Sequence, residues 1–180
     1  MYLKNTVNIG GKIIMNIKTC SFTGHRPNRF SFGYDEEHPD CFKLKLLLEQ
    51  EVLKLIKRGW TRFLCGMALG SDIFSAEIVL DLKRQGFEIE LVCVIPCKGQ
   101  ADNWNDQYKK RYKNILKRAN EIKYISNEYT NDCMHKRNRY LVDTADIILA
   151  VYDGETKGGT AYTVSYARII GKEVIIIKPN

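Results

Sequence analysis

Long apolar stretches are missing from this sequence. No run of apolar residues reaches the roughly 18 needed to cross a bilayer, so no transmembrane helix is expected. The first fourteen residues are polar and contain glycine, and they lack the apolar core of a secretory signal peptide. Because the first convincing strand begins just after Met15, residues 1–14 are interpreted as an upstream start or a disordered leader. The expectation is a cytoplasmic protein that has no membrane partner.

Metal-binding and disulfide patterns are missing as well. The chain has six cysteines, but it has no CxxC motif and no cysteine–histidine pair at the spacing of a zinc site. Cys20, Cys65 and Cys93 lie in apolar runs, where cysteine behaves as a small hydrophobic residue. This pattern predicts reduced thiols, no metal and no cofactor.

Repeats, low-complexity tracts and linkers are also absent. The 180 residues are therefore expected to form one domain over residues 15–180. The 28 basic and 21 acidic residues give a formal net charge of +7, which favours anionic partners such as phosphorylated small molecules or nucleic acid. Much of the excess lies in residues 109–118, whose pattern indicates the solvent face of an amphipathic helix. Nucleic-acid binding is accordingly expected to be weak.

Short apolar segments alternate with segments of helical periodicity. Strands are predicted at residues 17–22, 62–65, 88–95, 121–125, 146–152 and 173–178. Helices are predicted at residues 44–56, 73–82, 104–119, 132–144 and 160–170. The strand at 146–152 is the most hydrophobic and is predicted to be central. This alternation is typical of the α/β class, as a Rossmann-like three-layer sandwich with a mostly parallel sheet of about six strands.

The unusual residues of the sequence follow strand ends, which is where open parallel sheets bind ligands. After the first strand comes Thr23-Gly24-His25-Arg26-Pro27. His25 offers a titratable group and Arg26 a planar cation, which favours phosphate or carboxylate binding by this loop. A surface loop with incidental charge is the alternative. His25 is also a weak candidate for a catalytic acid or base.

Two glycine-containing loops follow the second and fifth predicted strands. The first holds the candidate ligand-binding residues Gly66, Met67, Ala68, Gly70 and Asp72. Its carboxylate could cap the next helix, bond a ribose hydroxyl or act as an acid or base. The second runs from Asp153 to Gly158, Gly159 and Thr160. Glycine permits a close backbone approach, and the free N–H groups at the helix start would bind an anion, although a plain strand-to-helix turn has the same composition.

Two further side chains are candidates for the same site. Trp104 follows a polar loop, where its indole could stack on a base or anchor a helix in the core. Arg137 shares a helix face with Leu141 and Thr144, so it could point into the site or lie on the surface.

Together these segments resemble the SLOG superfamily, which includes the DNA-processing protein DprA and the Lonely Guy phosphoribohydrolases. Residues 65–72 resemble the SGxAxGxD loop of DprA, and Gly158-Gly159-Thr160 resembles the GG-T loop of the superfamily. The order and spacing of the motifs are more closely similar to those of the small bacterial YpsA-like branch. The matching pieces are Thr23–Pro27, Gly66–Asp72, Gln100 with Trp104, Arg137-Asn138 followed by Val142-Asp143, and Ala150–Gly154 with Gly158–Thr163. The resemblance implies a Rossmann-like fold that binds nucleotides, nucleotide-derived signals or, in DprA, single-stranded DNA.

The sequence departs from the Lonely Guy motif PGGxGTxxE, whose glutamate serves catalysis. Lys157 stands where the proline would be and Thr163 where the glutamate would be. The glycine before the motif's threonine is also missing, because Thr160 follows Gly159 directly. These differences argue against that hydrolytic mechanism and leave the ligand-cradling loop in place.

The leading hypothesis is a sensor or regulator that binds a nucleotide or ADP-ribose-like ligand. In it, the two glycine loops cradle phosphates, Arg26 and Arg137 neutralise them, and Trp104 stacks on the base. Two alternatives stay open: a hydrolase of a nucleotide N-glycosidic or phosphoester bond that uses His25 or Asp72, and a single-stranded DNA binder of the DprA type. A homo-oligomer is compatible with all three.

Overall fold

The computed structural model describes residues 6–9, 12–15 and 17–179. Two short strands, β1 (Thr6–Ile9) and β2 (Lys12–Met15), pair antiparallel as a hairpin. The leader predicted for residues 1–14 includes most of this hairpin, and its residues 1–5, 10 and 11 lie outside the described part of the chain.

Six further strands form one sheet in which every neighbouring pair is parallel. They are β3 (Lys18–Gly24), β4 (Trp60–Cys65), β5 (Glu90–Cys97), β6 (Glu121–Ser126), β7 (Ile147–Val151) and β8 (Glu173–Ile177), in the order β6-β5-β4-β3-β7-β8. The predicted α/β class and parallel sheet are confirmed.

Helices cover both faces of this sheet. They are α1 (Pro39–Lys57), α2 (Ser71–Arg84), α3 (Asp106–Arg118), α4 (Cys133–Thr144) and α5 (Gly159–Ile169). The first three pack side by side, with α2 in contact with both α1 and α3, while α4 and α5 pack against each other. In the described residues, no helix is long and apolar enough to span a membrane.

All five helix starts differ from the prediction by one to five residues, and in two of them a side chain caps the observed start. The helix α1 begins at Pro39, before the predicted residue 44, because His38 Nδ1 accepts a hydrogen bond from the Asp40 amide at 3.1 Å and proline suits the first helical position. The helix α3 begins at Asp106, after the predicted residue 104, because Asn105 Oδ1 accepts from the Tyr108 amide at 2.9 Å. Trp104 therefore precedes the helix.

The prediction that residues 146–152 form the central strand was wrong. The strand β7 lies between β3 and β8, next to the edge strand, while β3 and β4 occupy the centre. All five residues of β7 are nevertheless buried. Its hydrophobicity reflects cover on both faces of the sheet, which a strand beside the edge can have as fully as a central one.

The chain adds strands to the sheet first on one side of β3 and then on the other, so the strand order reverses between β3 and β7. From β3 it proceeds outward through β4 and β5 to β6, and α4 then returns it to β7 on the other side of β3. Because all six strands are parallel, Thr23, Gly66, Pro96 and Asp153 lie toward the same edge. A crevice is expected where the strand order reverses, outside the carboxyl ends of β3 and β7.

Candidate functional site

A cleft of about 510 Å³ lies at this reversal point. Its walls come from the end of β3, the start of α2, one face of α4 and the loop that enters α5. It brings together ten of the residues predicted from sequence: Thr23, Gly24, His25, Arg26, Ala68, Asp72, Arg137, Gly158, Gly159 and Thr160.

The other predicted site residues lie around the cleft. Gly66, Met67 and Gly70 support its wall, Trp104 lines a neighbouring cleft, and Asp153 contacts His25. Sequence reasoning missed further lining residues, which are Phe22, Asn28, Arg29, Met134, Leu141, Glu155 and Lys157. Asn138 also lines the cleft, and its place in the Arg137-Asn138 motif was the available signal.

Glycines bring the end of β3 and the start of α2 into close contact. A Cβ on Gly24 would lie 2.5 Å from the Ser71 Cβ, and a Cβ on Gly70 would lie 2.7 Å from the carbonyl oxygen of His25. That carbonyl accepts hydrogen bonds from the Ser71 hydroxyl at 3.0 Å and the Ser71 amide at 3.2 Å. Gly70 also has φ +89°, which side chains disfavour. Together these contacts fix the His25 backbone at the edge of the cleft.

Asp72 and Arg137 form a buried charged pair in the wall of the cleft. Their side chains are 7% and 6% exposed, and Arg137 Nη1 lies 3.6 Å from Asp72 Oδ2. Asp72 accepts the Ala68 amide at 3.1 Å, so its carboxylate binds the preceding loop, whereas the N-cap of α2 is Gly70. Burial raises the pKa of Asp72, although the nearby Arg137 charge acts to lower it. Burial likewise lowers the pKa of Arg137, against the effect of Asp72.

The Arg137 guanidinium is not fully bonded inside the protein. Its Nε and Nη1 atoms are buried without a hydrogen-bond partner among the described residues. Gly66 makes room for this group, because a Cβ there would lie 1.6 Å from Nη1. Arg137 is therefore buried in the cleft wall and does not lie on the open surface. Its remaining N–H groups are donors of the kind that bind anions.

The start of α5 adds backbone donors to the cleft. Gly158 precedes the helix with φ +102°, and no side chain caps it. The first bond of the helix runs from the Tyr162 amide to the Gly158 carbonyl at 3.0 Å, so the amides of residues 159–161 have no acceptor within the helix. Gly159 has no such positive φ, and a Cβ there would meet only Asn138 Nδ2, at 3.7 Å. The backbone requirement for glycine therefore lies at Gly158.

Asp153 contacts the side chains of both His25 and Arg29, which line the cleft. Its Oδ2 lies 2.5 Å from Arg29 Nη2, and its Oδ1 lies 2.8 Å from His25 Nε2. Burial acts to raise the pKa of Asp153, but hydrogen bonds from the Glu155 amide, Arg29 and His25 lower it overall. The carboxylate that contacts His25 in the described residues is thus that of Asp153, and Asp72 pairs with Arg137.

Arg26 and Lys157 add two cations to a cleft whose lining also holds Arg29, Arg137 and the carboxylates of Asp72 and Glu155. Neither Arg26 nor Lys157 makes an ion pair with a residue of the 17–179 segment. Unpaired cations in a concave surface raise the local concentration of anions. The electrostatics of the cleft thus favour an anionic ligand.

Trp104 lines a second cleft of about 290 Å³. This cleft shares Arg26, Asn28, Ala68 and Met134 with the first, so the two lie next to each other. The indole packs edge-to-face on Tyr112, with ring centroids 5.3 Å apart, and borders the hydrophobic core. Trp104 is therefore anchored by the core, as one interpretation predicted, and it also lines a cleft, while stacking on a base stays a prediction.

Thr163 lies outside the cleft. Its hydroxyl donates to the Gly159 carbonyl at 2.7 Å within α5, and its side chain is buried. A metal centre is not indicated either, since the described residues contain no group of three or more His, Cys, Asp or Glu side chains that could hold an ion.

The fold and the cleft define a Rossmann-like α/β protein with a cleft at the carboxyl edge of its sheet, where the strand order reverses. The sequence model of the YspA SLOG family matches residues 20–173, and the chain belongs to that family.

Bacterial relatives and a solved structure show similarity over most of the chain. A UPF0398 protein of Bacillus pumilus is 29% identical over 154 residues, which are 84% of this chain and 82% of the relative. A UPF0398 protein of Halalkalibacterium halodurans is 28% identical over 154 residues, which are 84% of this chain and 81% of that relative. The X-ray structure of TM1055 matches with a TM-score of 0.54 at 16% identity, over 88% of this chain and 72% of TM1055, which supports the fold.

Proposed function

We propose that this protein binds a nucleotide or ADP-ribose-like ligand in the main cleft and acts as a sensor or regulator. The observation that carries the proposal is Arg137, whose buried Nε and Nη1 have no acceptor in the described residues. Leaving a donor N–H buried without a hydrogen bond costs on the order of 1–3 kcal/mol. Phosphate oxygens are suitable acceptors for such a group.

The start of α5 supports the same ligand chemistry. Its free amides and the positive end of the helix dipole favour an anion, and the same cleft contains Arg137, Arg26 and Lys157. A phosphate at this position is thus surrounded by backbone donors and cations. The adjoining cleft beside Trp104 offers an aromatic surface for the base of the ligand.

The two alternatives have less support from the geometry. Thr163, at the position of the Lonely Guy glutamate, is bonded within its own helix, and His25 contacts Asp153 rather than a second acid in the cleft. The basic residues Lys109 and Lys113 of α3 line a separate surface cleft that shares no residue with the main one. Ligand binding without turnover is therefore the better supported function.

The proposal is tested by thermal melting and calorimetric titration with AMP, ADP and ADP-ribose. At least one of them should raise the melting temperature of the wild-type protein. Arg26→Ala removes one charge-assisted hydrogen bond, worth roughly 1.5–3 kcal/mol, so the affinity should fall about ten- to a hundredfold. The folded protein should keep its melting temperature, because the Arg26 side chain is exposed.

Arg84→Ala is the matched control, because Arg84 is exposed on α2 and lies outside the cleft. It should bind as the wild type does. A wild-type protein that gains no stability from any of the three compounds would show that the proposed ligand class is wrong. Equal affinity of Arg26→Ala and wild type would remove Arg26 from the site.

Turnover is tested separately. Prolonged incubation of the protein with AMP should release no adenine above background, as measured by chromatography. Clear adenine production would favour the hydrolase instead.

A further inference from the structure

A third cleft, of about 580 Å³, lies between α4 and α5. It shares Met134, Asn138, Gly158 and Gly159 with the main cleft. The Trp104 cleft joins the main one through a different set of residues, and the two outer clefts have only Met134 in common. The Trp104 cleft and this third cleft thus adjoin the main cleft at different places, and we call them its two arms.

Each arm carries aromatic side chains. One is lined by Trp104 and Tyr34. The other is lined by His135 and Tyr162, whose rings pack edge-to-face with centroids 5.1 Å apart and an interplanar angle of 88°. Tyr162 is partly exposed and His135 is exposed, so both rings are open to a molecule in this arm. Flat ring systems such as nucleobases bind to surfaces of this kind.

The segment between the arms is the cationic one. It holds the free amides of α5, the buried Arg137, two of whose nitrogens make no hydrogen bond in the described residues, and Arg26. The order along the surface is thus aromatic, cationic, aromatic. A mononucleotide can occupy the cationic segment and one arm, but it leaves the other arm empty.

We infer that the ligand is a dinucleoside pyrophosphate, a class defined by two nucleosides joined through their phosphates. The inference rests on the proposed function of the main cleft and adds a second ring-binding subsite to it. The pyrophosphate lies at residues 158–159 and Arg137, one ring system lies against Trp104, and the other lies against His135 and Tyr162.

The test is calorimetric titration with AMP, ADP, NAD⁺ and diadenosine pyrophosphate. At least one of the two dinucleotides should bind the wild type more tightly than ADP, by roughly five- to a hundredfold, which corresponds to the contribution of stacking one base. His135→Ala and Tyr162→Ala should each reduce this advantage and leave the affinity for ADP unchanged. Tyr162→Phe should keep the advantage, because it retains the ring.

Tyr129→Ala is the control, since Tyr129 is 68% exposed and lines none of the three clefts. His135 is exposed, so its variant tests the subsite even if Tyr162→Ala disturbs folding. Dinucleotides that bind no better than ADP overturn this inference and leave the proposed function standing. An advantage that survives both alanine variants also overturns it. If none of the four compounds binds, the proposed function fails as well.

Discussion

At residue 66, the absence of a side chain leaves room for the Arg137 guanidinium. The two residues lie far apart in sequence, and a Cβ on Gly66 would lie 1.6 Å from Nη1 and 2.9 Å from Asp72 Oδ2. Contact this close cannot be relieved by a small rotation of one side chain, because the guanidinium is itself buried. Gly66 therefore determines the position of the buried charged pair.

Gly66→Ala tests this role. Overpacking of this kind typically costs about 1–3 kcal/mol, and we expect a loss of that size in the free energy of unfolding, measured with urea. The displaced Arg137 should also weaken binding of any compound that stabilises the wild type. Gly159→Ala is the control, because its Cβ would make only an ordinary contact at 3.7 Å, so its stability should change by less than about 1 kcal/mol. Equal destabilisation by the two variants would contradict this account.

Asp153 gives the molecule a pH dependence of known sign. Its hydrogen bonds lower its folded-state pKa below the ordinary value of 3.8. The stabilisation is therefore complete well above pH 3.8, and it is lost as the pH falls below this value toward the folded-state pKa.

Asp153→Asn should accordingly destabilise the protein at neutral pH and have a smaller effect in acid. Urea unfolding of wild type and variant between about pH 7 and pH 3 measures the difference in unfolding free energy at each pH. That difference should shrink as the pH drops below 3.8. A difference that stays constant over the whole range would show that the carboxylate charge is not the cause.

At the scale of the elements, the start of α3 determines where Trp104 lies. Asn105 caps this helix through the Tyr108 amide at 2.9 Å, which keeps Trp104 in the loop beside the second cleft. Asn105→Ala should cost about 0.5–2 kcal/mol of stability, as measured by chemical denaturation. Asn114→Ala, at an exposed position inside the same helix, is the control and should be neutral or slightly stabilising. A neutral Asn105→Ala would mean that the cap is not needed.

Most strands and helices of the domain could be predicted because the sequence patterns that indicate them are local. Apolar runs bounded by glycine gave β3 and β4, and helical periodicity gave α4. The Pro27–Arg29 3-10 helix was not predicted, since three residues carry too little pattern.

The loops that form the candidate site could be predicted from the sequence, but the contacts between those loops could not. Parallel strands bring their carboxyl ends together, so the loops after β3 and β7 were expected to meet. The contact of His25 with Asp153, and the space that Gly66 leaves for Arg137, depend on how distant segments pack. Residue spacing on α4 showed which face Arg137 shares with Leu141, but only packing against the sheet shows that this face is buried.

At the scale of the whole molecule, the basic residues behind the net charge of +7 lie on separate surfaces. The basic residues of α3 lie away from the main cleft, as Lys109 and Lys113 line a separate surface. Charge of this kind gives sequence-independent attraction to phosphate backbones, and it is screened by salt.

Single-stranded DNA should therefore bind weakly, with Kd no better than about 10⁻⁴ to 10⁻⁶ M at physiological salt. Fluorescence anisotropy with a labelled oligonucleotide over a salt series measures this, and the affinity should fall steadily as salt rises. Nanomolar binding at physiological salt would instead favour the DNA-binding alternative.

If the proposed ligand bonds the buried guanidinium of Arg137, its supply should also affect how long each molecule survives in a cell. In the free protein, two charged N–H groups lack acceptors in the interior, which lowers the free energy of unfolding. A ligand present at a hundred times its Kd raises that free energy by about 2.7 kcal/mol. Proteases degrade transiently opened molecules in proportion to their population. Cellular abundance of the protein would then follow the supply of its ligand, with empty molecules cleared and filled molecules retained.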